Sequence, residues 1–172
     1  ARFQASFFCF QKTVMGFCRV LFMNSNVASL NKLQTLIVIG NGMVGHHCVE
    51  QLIERGALNH YHLHVFSEEP MRAYDRVHLS EYFSGRDAES LALGQASLYQ
   101  TPGVTLYLGV PVLEIDREAR QVVTAQARIS YDKLVLATGS YPFVPPIQGA
   151  EGDSCLVYRT LQDLDAIRAA AS

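Results

Sequence analysis

The stretch that decides the fold is Thr35-Leu36-Ile37-Val38-Ile39-Gly40-Asn41-Gly42-Met43-Val44-Gly45. Its first half is a continuous apolar run with β-branched members, which is typical of a strand buried on both faces of a parallel sheet. Its second half is a G-x-G-x-x-G turn, and apolar residues then recur at helical spacing through Cys48 and Leu52. Residues 60–66 predict a second strand, so this part of the chain predicts a βαβ unit.

The three glycines of the turn have separate physical roles. Gly40 permits a tight turn, Gly42 lets a pyrophosphate approach the main chain, and Gly45 lets the helix pack close to the strand. The helix N-terminus adds unpaired N–H groups that attract phosphates. We therefore predict a dinucleotide site over Gly40, Asn41, Gly42, Met43 and Gly45. A turn with no ligand remains the alternative, and the turn does not by itself separate FAD from NAD.

An acidic residue stands where a ribose ligand is expected. Glu68 follows Gly45 by 23 positions (68 − 45) and comes just after the second predicted strand. A carboxylate there accepts hydrogen bonds from ribose hydroxyls, so we predict Glu68 as the ligand. Glu69 is the competing candidate, and both are solvated turn residues if no ligand binds.

The rest of the chain predicts the remaining layers of the fold. Residues 68–80 form a loop without period, residues 88–99 a helix, and residues 104–108 a strand. Short alternating runs at 112–115, 121–125 and 127–130 predict an antiparallel meander, and the apolar run 133–137 predicts a returning parallel strand that ends at Thr138-Gly139. A final helix begins near Thr160. The prediction is an α/β, three-layer, Rossmann-like domain with a parallel sheet and a small meander.

Composition excludes several classes of function. The chain of 172 residues has a net charge of −2, with 49% hydrophobic and 17% charged residues. No large positive field favours nucleic acid or an anionic membrane surface, and no uncharged apolar run reaches the roughly 18 residues of a membrane span. We therefore expect neither a nucleic-acid nor a membrane partner.

The cysteines and histidines do not predict a metal site. Cys9, Cys18, Cys48 and Cys155 have no ligand-like spacing, so we expect free and mostly buried thiols and a cytoplasmic location. Three histidines alternate along the second strand and are expected to form a half-exposed face; they are His60, His62 and His64. Next to the turn, His46 is expected to be an exposed residue at the start of the helix.

The sequence at both ends indicates that the chain is a piece of a longer protein. Residues 1–22 are interpreted as read-through with Met23 as the native start, and residues 1–32 as a non-native or disordered extension. The helix near Thr160 has no cap before the chain ends. Residues 33–172 are predicted to be one incomplete nucleotide-binding domain.

Several longer stretches carry a resemblance to a known family. The chain resembles the flavoproteins with two dinucleotide-binding domains, which include ferredoxin, rubredoxin and disulfide reductases. Within that family it is similar to the large subunits of NADH-dependent nitrite reductases. The matching stretches are residues 39–46, 68–70, 73–80, 137–142 and 157–160, which read IGNGMVGH, EEP, AYDRVHLS, ATGSYP and VYRT. The first of these alone is not specific, whereas AYDRVHLS and TGSYP are.

The resemblance implies a role for each matching position. The turn glycines would lie on the FAD pyrophosphate and Glu68 on the adenosine ribose. Arg76 would pair with a flavin phosphate, Val112 would offer backbone contacts to adenine, and Thr138-Gly139 would close over the cofactor. Many relatives have a lysine where this chain has Glu81, so no catalytic side chain is assigned.

The resemblance also implies an activity for the longer protein. NADH would reduce FAD, and the electrons would pass to an iron–sulfur cluster and sirohaem, where nitrite is reduced to ammonia, with a small subunit as a possible partner. This chain has no second glycine turn for NADH and no cysteine cluster for metal centres, so alone it is expected to be inactive. The alternatives are an FAD-linked NADH reductase of a small electron carrier, a plain NAD-dependent dehydrogenase, and a nucleotide-binding module without redox activity.

Overall fold

The computed structural model describes residues 32–150, 152 and 155–171. In chain order its strands and α-helices are β1 (Gln34–Ile39), α1 (Met43–Glu54), β2 (Tyr61–Phe66), β3 (Val104–Tyr107), β4 (Glu114–Asp116), β5 (Gln121–Val123), β6 (Arg128–Ser130), β7 (Lys133–Leu136) and α2 (Leu161–Ala170). Short 3-10 helices lie at Ala57–Asn59, Leu79–Ser84 and Ala96–Gln100. The expected extension at residues 1–32 lies almost wholly outside the described residues.

A four-stranded parallel sheet forms the centre of the domain, with the strand order β3-β2-β1-β7. Because side chains alternate along a strand, β1 serves two cores at once. Leu36 and Val38 pack with Val49 of α1 on one face. Ile37 and Ile39 pack on the other face with a cluster that includes Phe66 and Val122. Burial of β1 on both faces of the sheet therefore explains its continuous apolar run, as predicted.

The antiparallel meander is the third layer. Strands β4, β5 and β6 pair in that order, with Val122 opposite Ile129. Val122 is fully buried against the parallel sheet. The helix, the parallel sheet and the meander thus confirm the predicted three-layer α/β fold.

The helix predicted over residues 88–99 is wrong. This segment folds back on the loop after β2: the Leu93 amide donates to the Ala73 carbonyl, and the Asp75 amide donates to the Leu91 carbonyl. Gly94 then adopts a left-handed φ of +59°, which interrupts any helix. Leu91 is buried by this tertiary pairing, so its apolar character reflects a core contact and not helical periodicity.

Helix α2 begins with a capping box and closes a separate small core. The Thr160 hydroxyl accepts from the Asp163 amide at 3.2 Å, and the Asp163 carboxylate accepts from the Thr160 amide at 2.7 Å. Leu161 and Leu164 are buried against a cluster that includes Tyr74. The predicted helix start near Thr160 is confirmed.

Within the described residues, no helix is long and apolar enough to cross a bilayer. The two cysteines in this part are free, with Cys48 half-buried and Cys155 exposed. The expectation of mostly buried thiols therefore fails at Cys155, while Cys9 and Cys18 lie outside the described residues.

Helix α1 approaches the strands at the limit that backbone atoms allow. A Cβ on Gly45 would lie 1.9 Å from the Gly40 carbonyl oxygen, and one on Gly40 would lie 2.2 Å from the Ala137 carbonyl oxygen. Gly40 also has a φ of +102°. By contrast, a Cβ on Gly42 would meet nothing within 4 Å, and its φ of −82° suits any residue. Packing requires glycine at two of the three positions only.

We expect Gly45→Ala to lower the free energy of unfolding by about 1–3 kcal/mol or more, because the new methyl group overlaps a backbone carbonyl. Gly42→Ala is the matched control and should stay within about 1 kcal/mol of the parent, since its Cβ meets open space. Chemical denaturation without added nucleotide measures both. Equal losses in the two variants would show that the close approach of α1 is not what requires Gly45.

Candidate dinucleotide-binding site

The carboxyl ends of three parallel strands meet at one cleft. The glycine turn follows β1, Ser67 to Glu69 follow β2, and Ala137 to Gly139 follow β7. The strand order changes direction between β1 and β7, and this switch point is where open α/β sheets bind ligands. The cleft has a volume of about 470 Å³, within the range of small-molecule sites.

The sequence predicts eleven cofactor-binding residues, and ten of them line this cleft. They are Gly40, Asn41, Gly42, Met43, Glu68, Glu69, Arg76, Val112, Thr138 and Gly139. Gly45 does not line it, because its backbone packs beneath the turn against Gly40. The structure therefore brings residues from five separate parts of the chain to one place.

The helix N-terminus at the floor of the cleft has no competing side chain. Gly42 is the N-cap residue, no side chain of the described ranges caps α1, and the first turn of the helix contains no acidic residue. The first amides of a helix lack intrahelical partners and carry a partial positive charge. This end of α1 is thus free to bind an anion.

The two neighbouring carboxylates have different surroundings. Glu69 accepts hydrogen bonds from the Tyr74 hydroxyl at 2.7 Å and from the Arg76 guanidinium. Burial, followed by the hydrogen bond to Glu69, raises the pKa of Tyr74 above its usual value. Glu68 is exposed and, among the residues that the structure describes, accepts only from the Tyr141 hydroxyl, at 2.7 Å. Glu69 therefore has a structural role within the loop, and Glu68 is the carboxylate that a ligand can reach at little cost.

Arg76 is held in place from three sides. It forms the ion pair with Glu69, its guanidinium lies 5.2 Å from the centre of the Tyr74 ring, and its Nη1 donates weakly to the Arg159 carbonyl at 3.5 Å. The side chain is 24% exposed and lines the cleft. A fixed, partly exposed cation of this kind suits a phosphate oxygen.

Two residues of the cleft rim were not predicted. Tyr141 and Arg159 line both this cleft and an adjoining hollow of about 320 Å³. The hydrogen bond to Glu68 raises the pKa of Tyr141, and Arg159 donates to the Ser140 hydroxyl. Both residues belong to stretches that carried the family resemblance, but nothing in their local pattern indicated a position at a site.

The prediction for His46 is wrong, because this side chain is buried. Its Nδ1 lies 2.7 Å from the Tyr99 hydroxyl, which in turn donates to Asn41 Oδ1 at 2.7 Å. Burial lowers the pKa of His46 and raises the pKa of Tyr99 to about 12, so both side chains are neutral near pH 7. Asn41 Nδ2 is buried without a partner.

Other candidate residues fall outside the cleft. Glu81 pairs with Arg86 at 2.8 Å and lines neither hollow. On β2, His62 is exposed and the half-buried His64 lies 3.0 Å from the Tyr107 hydroxyl. No group of three or more possible metal ligands occurs among the described residues.

The arrangement has the chemistry of a binding site for a dinucleotide phosphate. It combines free helix-terminal amides, one fixed guanidinium and an accessible carboxylate. Catalytic proton transfer is not assigned to any of these groups.

Comparisons with known proteins agree with this geometry. The sequence profile of the family described as pyridine nucleotide-disulphide oxidoreductase matches residues 34–172. The chain is 53% identical over 138 residues to the nitrite reductase [NAD(P)H] large subunit of Klebsiella oxytoca, which covers 80% of this chain and 14% of that protein. It is 44% identical over 137 residues to the nitrite reductase (NADH) large subunit of Escherichia coli strain K12, covering 79% and 16%.

Among solved structures, the covalent putidaredoxin reductase–putidaredoxin complex matches with a TM-score of 0.70 and 29% identity. That match covers 80% of this chain and 34% of the matched chain. The chain thus spans about a sixth or less of the curated relatives named here and a third of the solved structure.

We expect Glu69→Ala to lower the free energy of unfolding by about 1–3 kcal/mol, because it leaves the Tyr74 hydroxyl and the Arg76 guanidinium without their acceptor. Glu68→Ala should change it by less than about 0.5 kcal/mol, since only an exposed tyrosine loses a partner. Denaturant titrations of both variants provide the measurement. A larger loss for Glu68→Ala would contradict the division of roles.

Proposed function

The chain belongs to the pyridine nucleotide-disulphide oxidoreductase family, and on that premise we propose that residues 33–172 form the FAD-binding part of a nitrite reductase (NADH) large subunit. Residues 1–32 are then an extension outside this domain. When bound, FAD supplies the hydride and electron transfer between NADH and the acceptor.

The observation that carries the proposal is the open space at Gly42. Packing and backbone conformation explain Gly40 and Gly45, but neither explains a glycine at position 42. A side chain there would project into space beside free helix-terminal amides, which is the cradle that a pyrophosphate needs. The residues present therefore fit a dinucleotide.

The other cleft residues would bind the remaining parts of FAD. Asn41 and Met43 flank Gly42 on the pyrophosphate side of the cleft, Arg76 supplies a positive charge for a phosphate, and Glu68 accepts from the ribose. Val112, Thr138 and Gly139 also line the cleft, where Val112 would contact the adenine and Thr138 and Gly139 would close over the cofactor.

In the part of the chain that the structure describes, no group of three or more possible ligands could hold the metal centres of the proposed enzyme. An iron–sulfur cluster and sirohaem, the reduction of nitrite, and a small subunit therefore belong to the proposal for the longer protein. The NADH site and the cytoplasmic location also remain predictions.

A second candidate is an FAD-linked NADH reductase of a small electron carrier. The likeness to putidaredoxin reductase, whose solved complex contains its carrier, favours it. The length of the full coding sequence distinguishes the two: a carrier reductase ends after about 400 residues in total, whereas a nitrite reductase continues into further domains.

We expect the full-length protein to be yellow, to release FAD on denaturation, and to lose its flavin absorbance when NADH is added without oxygen. Release of NAD would indicate a plain dehydrogenase, and a colourless protein with another nucleotide would indicate a non-redox module.

Gly42→Val should abolish flavin retention, because its side chain fills the space that the pyrophosphate needs. Gly42→Ala should retain more flavin than Gly42→Val, and equal flavin content in Gly42→Val and the parent would refute the site.

We further expect Glu68→Ala to weaken FAD binding by roughly 10- to 100-fold, the equivalent of about 1.5–3 kcal/mol for a charge-assisted hydrogen bond. Glu69→Ala should weaken it less. Reconstitution of the apoprotein with FAD, followed by flavin fluorescence, measures both. The reverse order would show that Glu69 is the ribose ligand.

A further inference from the structure

A buried chain of hydrogen bonds ties the glycine turn to two other elements. Asn41, the residue between Gly40 and Gly42, accepts from the Tyr99 hydroxyl at 2.7 Å. Tyr99 lies in the 3-10 helix Ala96–Gln100, and its oxygen lies 2.7 Å from Nδ1 of His46 on α1. Asn41 is 6% exposed and His46 is 5% exposed.

The direction of one of these hydrogen bonds determines the direction of the other. The Tyr99 hydroxyl has one proton and gives it to Asn41 Oδ1, so its oxygen must accept from His46 Nδ1–H. The other ring nitrogen, Nε2, then carries no proton.

The direction of these hydrogen bonds determines whether the oxygen or the nitrogen of the Asn41 amide is free. Oδ1 is occupied by Tyr99, while Nδ2 is buried and has no partner. The opposite histidine tautomer would let Tyr99 donate to His46 and accept from Nδ2, which leaves Oδ1 free instead. A free donor attracts a phosphate oxygen, and a free acceptor repels it.

We propose that His46 and Tyr99 are positioning residues that keep the buried NH₂ group of the Asn41 amide unpaired, and that Asn41 Nδ2 donates to an oxygen of the dinucleotide phosphates. This inference rests on the proposed function, since the phosphates are those of the bound FAD. Asn41 lines the cleft beside the uncapped helix N-terminus, and within the part of the chain that the structure describes no side chain pairs with Nδ2. The turn thereby gains one side-chain donor besides its backbone amides.

The test measures the FAD dissociation constant of the full-length apoprotein by flavin fluorescence. We expect Asn41→Ala to raise it about 10-fold or more and Tyr99→Phe about 3- to 10-fold. Because Tyr99 acts through Asn41, the double variant should match Asn41→Ala alone within about twofold. If the two single-variant increases in the dissociation constant multiply in the double variant, Tyr99 and Asn41 contribute independently, and the proposal is overturned.

Asn41→Asp provides a second measurement that does not depend on the folding of Tyr99→Phe. Its carboxylate repels the phosphates, so it should bind FAD more weakly than Asn41→Ala at alkaline pH. Its affinity should recover as the pH falls, because a protonated carboxyl group can donate. A purely structural role would give no such pH dependence, and its absence would overturn the donor role of Asn41.

Tyr107→Phe is the matched control, because Tyr107 forms the same type of hydrogen bond with His64 away from the cleft lining. It should leave FAD affinity unchanged, and a loss equal to that of Tyr99→Phe would overturn the proposal. If the parent protein binds FAD and all variants bind it equally well, the proposed roles of Asn41, Tyr99 and His46 are refuted and the proposed function stands. If the parent protein binds no FAD, the proposed function is refuted together with these roles.

Discussion

The contact between the start of α1 and the ends of two strands is the constraint on which the rest of the structure depends. Backbone meets backbone at Gly45, Gly40 and Ala137, with no room for a side chain. This approach places the uncapped helix terminus beside the carboxyl ends of the neighbouring strands β1 and β7. Larger residues would move the helix away from the sheet and separate its free amides from the loops that follow β2 and β7.

Much of the fold was predictable because it depends on local or strictly periodic signals. Burial on both faces makes β1 a continuous apolar run, and the capping box of α2 lies within four residues. The segment at 88–99 could not be predicted in this way. Its buried Leu91 is explained by pairing with residues 73–75, and its distant partners leave no period in the sequence.

The residues of the site were easier to identify than their partners. Motif position identified most of the residues that line the cleft and favoured Glu68 over Glu69. It did not indicate that the Tyr74 hydroxyl and Arg76 engage Glu69. The burial of His46 was equally hidden, because its partner Tyr99 lies 53 positions away. Side-chain hydrogen bonds between loops are properties of the assembled structure and not of a sequence pattern.

The hydrogen bond between Tyr141 and Glu68 has a consequence for how a ligand enters the cleft. Tyr141 is 77% exposed and belongs to the segment after β7, so this hydroxyl contact closes the rim without support from a packed core. A ligand hydroxyl that replaced the phenol at the same carboxylate oxygen would exchange one hydrogen bond for another of similar strength. At this side the cleft can therefore open by the swing of one aromatic ring, which leaves the sheet undisturbed.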